Sequence, residues 1–395
     1  MCMTRVKIAV FSIILSFFAG AYADVFPVPE YGYVIDFPEG FSLEDGSEDL
    51  SMMLFKHTML PVQVLVKVWS QDSYASAEAA LQGTFLKLGA SGETASLVWR
   101  NRTCAVSKMT LQNAALTEKH SGWSCVIPLA EKKGWLTVLS YAPAEVAFDC
   151  EQFLLSVLDS VMTDRGSYKD CGIITTYAYP SGPKKELLLT IGGKKVKTQI
   201  GVDDDTAAQF LIDREWAVFT LFANTKYAIE AWQRFYRMVA RDSMGRTKKI
   251  AFDIQNALLP DAQQTDSSQP LAAIAQELLF WTQHFKYDRA SDSADKADFA
   301  SIPSVLKGGA SDCDSRSMLI AVLLRHMGAD ACIFISAAYS HAMLGVAFPD
   351  KKGQTIHVDG ADYLVGETTA KNLTLGMMDA SMQDRDKWYP VMFYD

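Results

Sequence analysis

The chain has few positively charged residues and no place where they cluster. It carries 37 Lys and Arg against 46 Asp and Glu in 395 residues, a formal net charge of -9. Because phosphate binding requires clustered Lys and Arg, this composition argues against a nucleic-acid partner and against an anionic membrane surface. The sequence also lacks a glycine-rich phosphate-binding motif and a zinc-type spacing of Cys and His, so we expect neither a cofactor nor a metal site.

Long apolar runs are absent after the first residues. Arg5 and Lys7 precede an apolar run over 8–20, and an A-x-A pattern ends at Ala23. This arrangement is typical of a secretory signal peptide, and the run is too short to be a good membrane span. We therefore expect 1–23 to be a signal peptide and the mature protein to be exported, periplasmic or secreted, with no stable membrane span. The alternative is an uncleaved N-terminal anchor.

Cysteine is scarce, and export changes how it is interpreted. Six of the seven cysteines follow the signal peptide, and disulfides can form in an oxidising compartment. One candidate pair is Cys104 with Cys125, on consecutive strand-like segments. The other is Cys150 with Cys171, on either side of one helix and its loop. These four residues allow three pairings, which the sequence leaves open, and Cys332 lies in an apolar strand as a buried thiol.

The length predicts more than one domain, since 395 residues exceed one ordinary core. Hydrophobic residues make up 49% and charged residues 21%, which indicates a folded protein. We expect an α+β domain over 24–165, a connecting hairpin and helices over 166–270, and a third part over 271–395. The polar stretch 260–270 is bounded by prolines and indicates a linker or long loop.

The N-terminal part mixes strand and helix patterns. It opens with "YGYVIDFPEGF", a strand entering a turn. In this pattern and in the order of its elements, the part resembles the PsbP-like fold of small exported or lumenal domains. The resemblance implies an antiparallel sheet with packed helices, and it carries no catalytic residues to this chain.

The C-terminal part places a cysteine where a glycine-rich loop becomes an apolar helix. The stretch is "GGASDCDSRSMLIAVLLRHMG", with Ser311 or Asp312 as the helix cap and Gly328 as its end. In the first turn the backbone N–H groups are unpaired and the helix dipole is positive, which favours a thiolate. The sequence therefore indicates Cys313 as a candidate nucleophile.

A base and an acid follow Cys313 along the chain. His341 opens the strand-like segment "HAMLGVAF" and can accept a thiol proton. A carboxylate is needed to orient its ring, and the candidates are Asp359 in "IHVDG" and Glu367 in "GETT". The other histidines have no comparable setting.

Taken together, these motifs resemble the transglutaminase-like superfamily, a papain-like thiol fold. The matching pieces are "FKYD", the cysteine loop and helix, "SHAMLGVAF" and "DYLVGETT". The resemblance implies that Cys313 is the nucleophile, His341 the general base and, by its position before threonine, Glu367 the orienting acid, with Asp359 as the alternative. It also implies an oxyanion donor in the Cys313 backbone N–H plus Gln283 or Tyr287.

The chain departs from the family at two positions. It has "ETT" where the family commonly has "D-P-T", and Met343 follows "HA" where the family often has Trp. The second departure affects the substrate pocket rather than the thiol.

We therefore expect an exported cysteine-dependent acyl-transfer enzyme. Hydrolysis by a peptidase or amidase is favoured over transglutaminase-type amine transfer, and the substrates would be proteins or cell-wall peptides. The alternative is a non-catalytic envelope binding or assembly protein that uses a transglutaminase-like scaffold, because a fold does not determine function.

Overall fold

The computed structural model describes residues 25–112, 118–288, 297–309 and 311–394. The expected signal peptide lies outside the described residues. Within them the chain is a mixture of helices and strands, and every pairing between the strands named below is antiparallel. The expected α+β class is therefore confirmed at this level.

Two sheets and two helices form most of the N-terminal part. In the described residues these elements are β1 (Val25–Val28), β2 (Tyr33–Asp36), β3 (Phe41–Gly46), β4 (Met52–His57), β5 (Gln63–Trp69), α1 (Ala77–Leu88), β6 (Ala90–Ser91), β7 (Thr94–Trp99), β8 (Arg102–Leu111), β9 (His120–Pro128), β10 (Trp135–Pro143), α2 (Glu151–Asp159) and β11 (Val161–Met162). β1, β2 and β11 make a three-stranded sheet, and β3-β4-β5-β10-β9-β8-β6 make a larger sheet in which β7 pairs with β8.

Alternating side chains cover the larger sheet on both faces, as the two-residue period of a strand requires. Val126 and Leu139 pack with Leu81 of α1. Their neighbours Cys125 and Val138 belong to a separate core on the other face, which also contains α2 and the smaller sheet.

The middle part is a hairpin followed by helices. The described elements are α3 (Ile173–Ala178), β12 (Lys184–Ile191), β13 (Lys194–Gly201), α4 (Asp204–Thr220), α5 (Ala228–Thr265) and α6 (Pro270–Gln283). The predicted hairpin turn at Gly192 and Gly193 is confirmed, with both glycines at positive φ.

The prediction of a linker over 260–270 is wrong for its first half. α5 continues through Pro260 to Thr265, and only 266–269 separate it from α6. Proline removes one backbone N–H donor and usually breaks a helix. Here packing maintains the last turns, because Leu258 and Ala262 are buried in the core on either side of Pro260.

The C-terminal part is a helix packed on a five-stranded sheet. The described elements are α7 (Ile302–Leu306), α8 (Cys313–His326), β14 (Asp330–Ser336), β15 (His341–Ala347), β16 (Thr355–Val358), β17 (Ala361–Gly366) and β18 (Tyr389–Val391). The strand order in the sheet is β16-β17-β15-β14-β18. Ile333 and Ala342 face the core that contains α8, while Phe334 and Met343 face a smaller cluster behind the sheet.

One hydrophobic core joins the middle and C-terminal parts. It runs from the β12–β13 hairpin through α5, α6 and α8 to β14 and β15. The domain limits at 165 and 270 stay predictions, but the second of them does not separate two cores.

All six cysteines in the described residues are free, so neither the Cys104–Cys125 nor the Cys150–Cys171 disulfide is formed. Cys125 lies directly opposite Val106, two residues along β8 from Cys104. Such diagonal neighbours are about 7–8 Å apart at Cα, too far for an unstrained bridge. Cys171 turns its Sγ toward the carbonyl oxygen of Asp242 on α5, at 3.8 Å.

Candidate functional site

The loop-to-helix transition places Cys313 in the first turn of α8. Asp312 is the cap, since its side chain accepts a hydrogen bond from the Ser315 N–H at 3.0 Å. The Ser315 hydroxyl oxygen in turn accepts a hydrogen bond from the Asp312 N–H. The predicted cap is thus confirmed, and Asp312 rather than Ser311 provides it. A capping box of this kind fixes the direction in which a helix starts.

The Cys313 thiol lies against acids rather than in a positive environment. Its side chain is buried, with 7% of the residue exposed, and Sγ donates to Oδ1 of Asp314 at 3.0 Å. Burial raises the pKa of the thiol most, followed by the charge and hydrogen bond of Asp314 and the charge of Asp312, while the Ala342 N–H opposes them. The expectation that the helix N-terminus favours a thiolate is therefore wrong for this resting arrangement.

His341 and Glu367, two members of the expected triad, are in direct contact. His341 Nε2 is 2.7 Å from Glu367 Oε2, and both side chains are mostly buried. The other carboxylate oxygen accepts from the Thr369 N–H at 2.7 Å and its hydroxyl at 2.6 Å. Burial is the largest influence and opposes ionisation, but the hydrogen bonds and charge of His341 and the Thr369 donors together hold the pKa of Glu367 below its usual value.

The alternative acid, Asp359, lies elsewhere. It occupies the exposed turn between β16 and β17 at φ 47°, and no contact with His341 is present. The nearby pair in that hairpin is His357 with Asp362, at 2.9 Å on the surface. Geometry thus places Glu367, and not Asp359, beside the imidazole.

The side-chain amide of Gln283 already donates two hydrogen bonds, so it is not available to stabilise an oxyanion. Its buried Nε2 donates to the carbonyl oxygens of Glu367 at 2.8 Å and Leu373 at 2.9 Å. Tyr287 is half-exposed and forms a backbone bridge with Ser311. Gln283 therefore supports the segment that holds Glu367, which the motif spacing did not indicate.

A buried arginine, Arg316, connects by hydrogen bonds the segments that surround Cys313. Arg316 donates from Nε to the Ser311 hydroxyl at 3.0 Å and from its two terminal nitrogens to the carbonyls of Thr368 at 3.2 Å and Phe285 at 2.9 Å. Arg316 belongs to α8, so it connects the cysteine helix to the segments before it and after β17.

Two cavities lie apart from these residues. They measure about 570 and 380 Å³ and share Ala347, Phe348 and Pro349, near the loop between β15 and β16. None of the triad side chains lines either cavity.

In the described part of the chain, no group of three or more His, Cys, Asp or Glu side chains is arranged to hold a metal ion. No helix there is both long and apolar enough to cross a membrane.

No protein-family model and no curated protein sequence matches this chain. The solved structures with weak similarity to this chain include three that differ in source. The Ran-binding protein Mog1p of Saccharomyces cerevisiae has a TM-score of 0.26 and 11% identity, over 34% of this chain and 92% of the other. The PsbP protein CyanoP of Synechocystis has a TM-score of 0.28 and 10% identity, over 37% of this chain and 95% of the other. A Bacteroides thetaiotaomicron protein has a TM-score of 0.25 and 8% identity, over 61% of this chain and 80% of the other.

Such scores carry no argument about fold family or function. The neighbours do include a PsbP protein, the family that the opening motif resembles. None of these three is described as transglutaminase-like, so that resemblance remains a prediction, supported only by the residues themselves.

Proposed function

We propose that the protein is an exported cysteine-dependent acyl-transfer enzyme that uses Cys313, His341 and Glu367. The observation that carries the proposal is the 2.7 Å contact between His341 Nε2 and Glu367 Oε2 beside the helix that begins at Cys313. A buried carboxylate fixes the orientation of an imidazole and stabilises the imidazolium that forms when the ring takes a proton. In the proposed mechanism the other ring nitrogen, Nδ1, accepts the thiol proton.

The reaction would proceed through a covalent acyl-enzyme. Cys313 Sγ attacks the carbonyl carbon of an amide while its proton passes to His341, and the carbonyl π electrons move to oxygen. Collapse of this intermediate breaks the C–N bond, and the imidazolium returns the proton to the leaving amine. Water, deprotonated by His341, then releases the acid and restores the thiol. A primary amine in place of water would give crosslinking.

The substrates we propose are proteins or cell-wall peptides, on the basis of the N-terminal segment that resembles a signal peptide. Incubating the purified protein with casein and a fluorescent primary amine separates the two outcomes. Release of peptides supports hydrolysis, and incorporation of the amine supports transfer. Neither product, while a peptide isolated from peptidoglycan is cleaved, would restrict the activity to cell-wall peptides.

The first test measures whether His341 acts on Cys313. Iodoacetamide labelling is followed across pH and read by peptide mass at each cysteine, in the wild type and in His341→Ala. We expect His341→Ala to slow the labelling of Cys313 at pH 7 about tenfold or more, because the imidazole no longer takes the thiol proton. Equal rates in the two proteins would remove the base from the mechanism.

The second test separates the two candidate acids. Glu367→Gln keeps the size of the side chain and removes the charge that faces His341, so we expect slower labelling of Cys313. Asp359→Asn is the matched control, because Asp359 lies in an exposed turn. If Asp359→Asn slowed labelling and Glu367→Gln did not, the assignment of the acid would be reversed.

A second candidate function is a non-catalytic binding or assembly role in the envelope. The observation that favours it is the buried thiol, which donates to Asp314 and has a raised pKa. An inert Cys313 in the labelling series, together with no product in the casein and peptidoglycan assays, would select this role.

A further inference from the structure

A chain of three side chains from two distant segments meets at the candidate nucleophile. Cys313 Sγ donates to Oδ1 of Asp314 at 3.0 Å, and the hydroxyl of Tyr236 on α5 donates to Oδ2 of the same carboxylate. Tyr236 is 2% exposed, and its neighbours Phe235 and Trp232 belong to or pack on the same core. Both oxygens of Asp314 are therefore engaged, one by a rigid phenol and one by the thiol.

We propose that Asp314 is a positioning residue that holds Cys313 as a neutral thiol in the resting enzyme, and that Tyr236 fixes the carboxylate for this purpose. The proposal rests on the proposed function only for the identity of the nucleophile. A thiolate beside a carboxylate loses its hydrogen bond and meets a like charge, whereas a thiol keeps the bond. The burial of the group strengthens this preference.

The consequence is a nucleophile that is protected until substrate binds. Neutral thiols react slowly with disulfides and alkylating agents, because the thiolate is the reactive form. For acyl transfer, the Cys313 side chain must leave Asp314 and turn its S–H toward His341. No other reactant is required, since the proton passes only between groups of this chain.

Several other ionisable groups face this end of α8 and are part of any pH dependence. Asp312, whose pKa is raised to about 6 mainly by burial and next by Asp314, carries the other nearby charge on the helix. Among the described residues these groups include Asp312, Asp314 and Arg316 on α8, Tyr236 on α5, Tyr287 after α6, His341 on β15, Glu367 after β17 and Asp298 before α7.

The test compares two variants that each remove one carboxylate next to Cys313. Asp314→Asn replaces the charged carboxylate that accepts the thiol proton with a neutral amide, which is a weaker acceptor. Asp312→Asn removes a charge that does not contact Sγ and retains a good helix cap. Rates of iodoacetamide labelling of Cys313 are measured from pH 6 to pH 10 by peptide mass. We expect Asp314→Asn to raise the rate at pH 7 about tenfold or more and Asp312→Asn to raise it less than threefold.

Two results would overturn the proposal. A change of less than twofold in Asp314→Asn would show that the carboxylate does not hold the thiol. Equal acceleration by both variants would show a general charge effect with no role for the hydrogen bond. Tyr236→Phe is expected to accelerate labelling two- to tenfold by releasing the carboxylate, and a rate no higher than that of the wild type would remove Tyr236 from the proposal.

Repeating the comparison in a His341→Ala background separates this proposal from the catalytic one. If Asp314→Asn accelerates labelling while His341→Ala alone has no effect, Asp314 holds the thiol and the triad fails. If His341→Ala slows labelling while Asp314→Asn changes nothing, the triad stands and the positioning role fails.

A measurement on the wild type covers the case in which Asp314→Asn does not fold. The infrared S–H stretch of Cys313 is isolated as the difference between the wild type and Cys313→Ala. We expect a band shifted to low frequency by a charged acceptor. A band at the frequency of an unbonded thiol would overturn the proposal.

Discussion

At the residue scale, Glu39 is the most unusual ionisable group outside the site. It is 1% exposed, and neither of its carboxylate oxygens has a hydrogen-bond partner among the described residues. Burial raises the pKa of Glu39 to about 8, although the positive charge of Arg234 opposes the shift. Glu39 is therefore protonated in the folded protein at neutral pH, as buried carboxyls without partners usually are.

This pKa predicts how stability responds to pH. The folded state holds the Glu39 proton up to about pH 8, whereas an unfolded glutamate loses it near pH 4.3. Between these values the folded state binds more protons, so its stability falls as pH rises, by about 1.4 kcal/mol per unit for one such group. Glu39→Gln removes the dependence, and we expect the variant to gain stability relative to the wild type from pH 5.5 to pH 8.

Urea unfolding of both proteins at the two pH values measures the difference. Glu48→Gln, an exposed position on the same part of the chain, serves as the control and should leave it unchanged. A constant difference between the Glu39 variant and the wild type would mean that Glu39 is ionised, with a partner, in solution.

The candidate site was predictable residue by residue only where local sequence carries the signal. The loop, helix and strand motifs and their family resemblance predict Cys313, His341 and Glu367, and the last two lie in contact. Asp314 is adjacent to Cys313 in sequence, but no local pattern marks it as the thiol's partner. Tyr236 lies 78 residues from Asp314, so no local pattern links these two residues either.

At the element scale, α5 shows how tertiary packing overrides helix propensity. Gly245 lies in the middle of this helix, where alanine normally stabilises by about 1 kcal/mol. A Cβ at this position would lie 2.7 Å from the Cys171 backbone nitrogen and 3.1 Å from the Asp170 Cα. The helix therefore passes another backbone segment at a distance that only glycine permits.

We expect Gly245→Ala to destabilise the protein by about 1–3 kcal/mol, because backbone atoms must move apart to admit the methyl group. Asn256→Ala, at an exposed position of the same helix, is the matched control and should gain a few tenths of a kcal/mol from propensity alone. Chemical denaturation measures both. A gain in stability for Gly245→Ala would show that Cys171 and α5 are farther apart than described.

The elements themselves were largely predictable, and their ends less so. The helix that closes at Gly89 and the helix that starts after Asp312 follow their capping residues. The end of α5 did not follow from Pro260, because the burial of Ala262 is a tertiary contact that local sequence does not show. The cysteine pairing failed for a similar reason, since strand register decides which residues face each other.

At the scale of the whole molecule, a buried ionic network joins the N-terminal sheets to the long helix α5. Arg237 donates two hydrogen bonds to the Asp36 carboxylate at the end of β2, at 2.9 and 3.0 Å, and Arg234 donates to the Asp36 backbone oxygen at 2.9 Å. Arg234 also bonds Glu215 on α4 at 2.8 Å. Charges of this kind are costly to bury unless each has its partner.

This network was beyond prediction from the sequence. Asp36 and Arg237 lie 201 residues apart, the first in the expected N-terminal domain and the second in the expected connecting region. Nothing in the pattern around either residue distinguishes it from a charge on a surface. The sequence indicated the composition of each part, whereas the pairing between the parts depends on a surface that forms only after both have folded.

Because of this network, we expect substitution of Arg237 to lower the stability of the whole protein. Burial opposes the ionisation of Asp36 more than any other influence, yet Arg237 and Arg234 together hold the pKa of Asp36 below its usual value. Arg237→Ala leaves that carboxylate buried without its two-bond partner, so we expect a loss of about 3–5 kcal/mol in urea unfolding at pH 7. The loss should shrink as pH falls, because protonating Asp36 removes the unpaired charge. The double variant Asp36→Leu, Arg237→Met should recover part of the lost stability, since two apolar side chains need no ionic partner and Arg234 keeps Glu215.

A loss below about 1 kcal/mol in the single variant Arg237→Ala would indicate that water reaches the Asp36–Arg237 pair, and that the N-terminal sheets are not held to α5 by these charges.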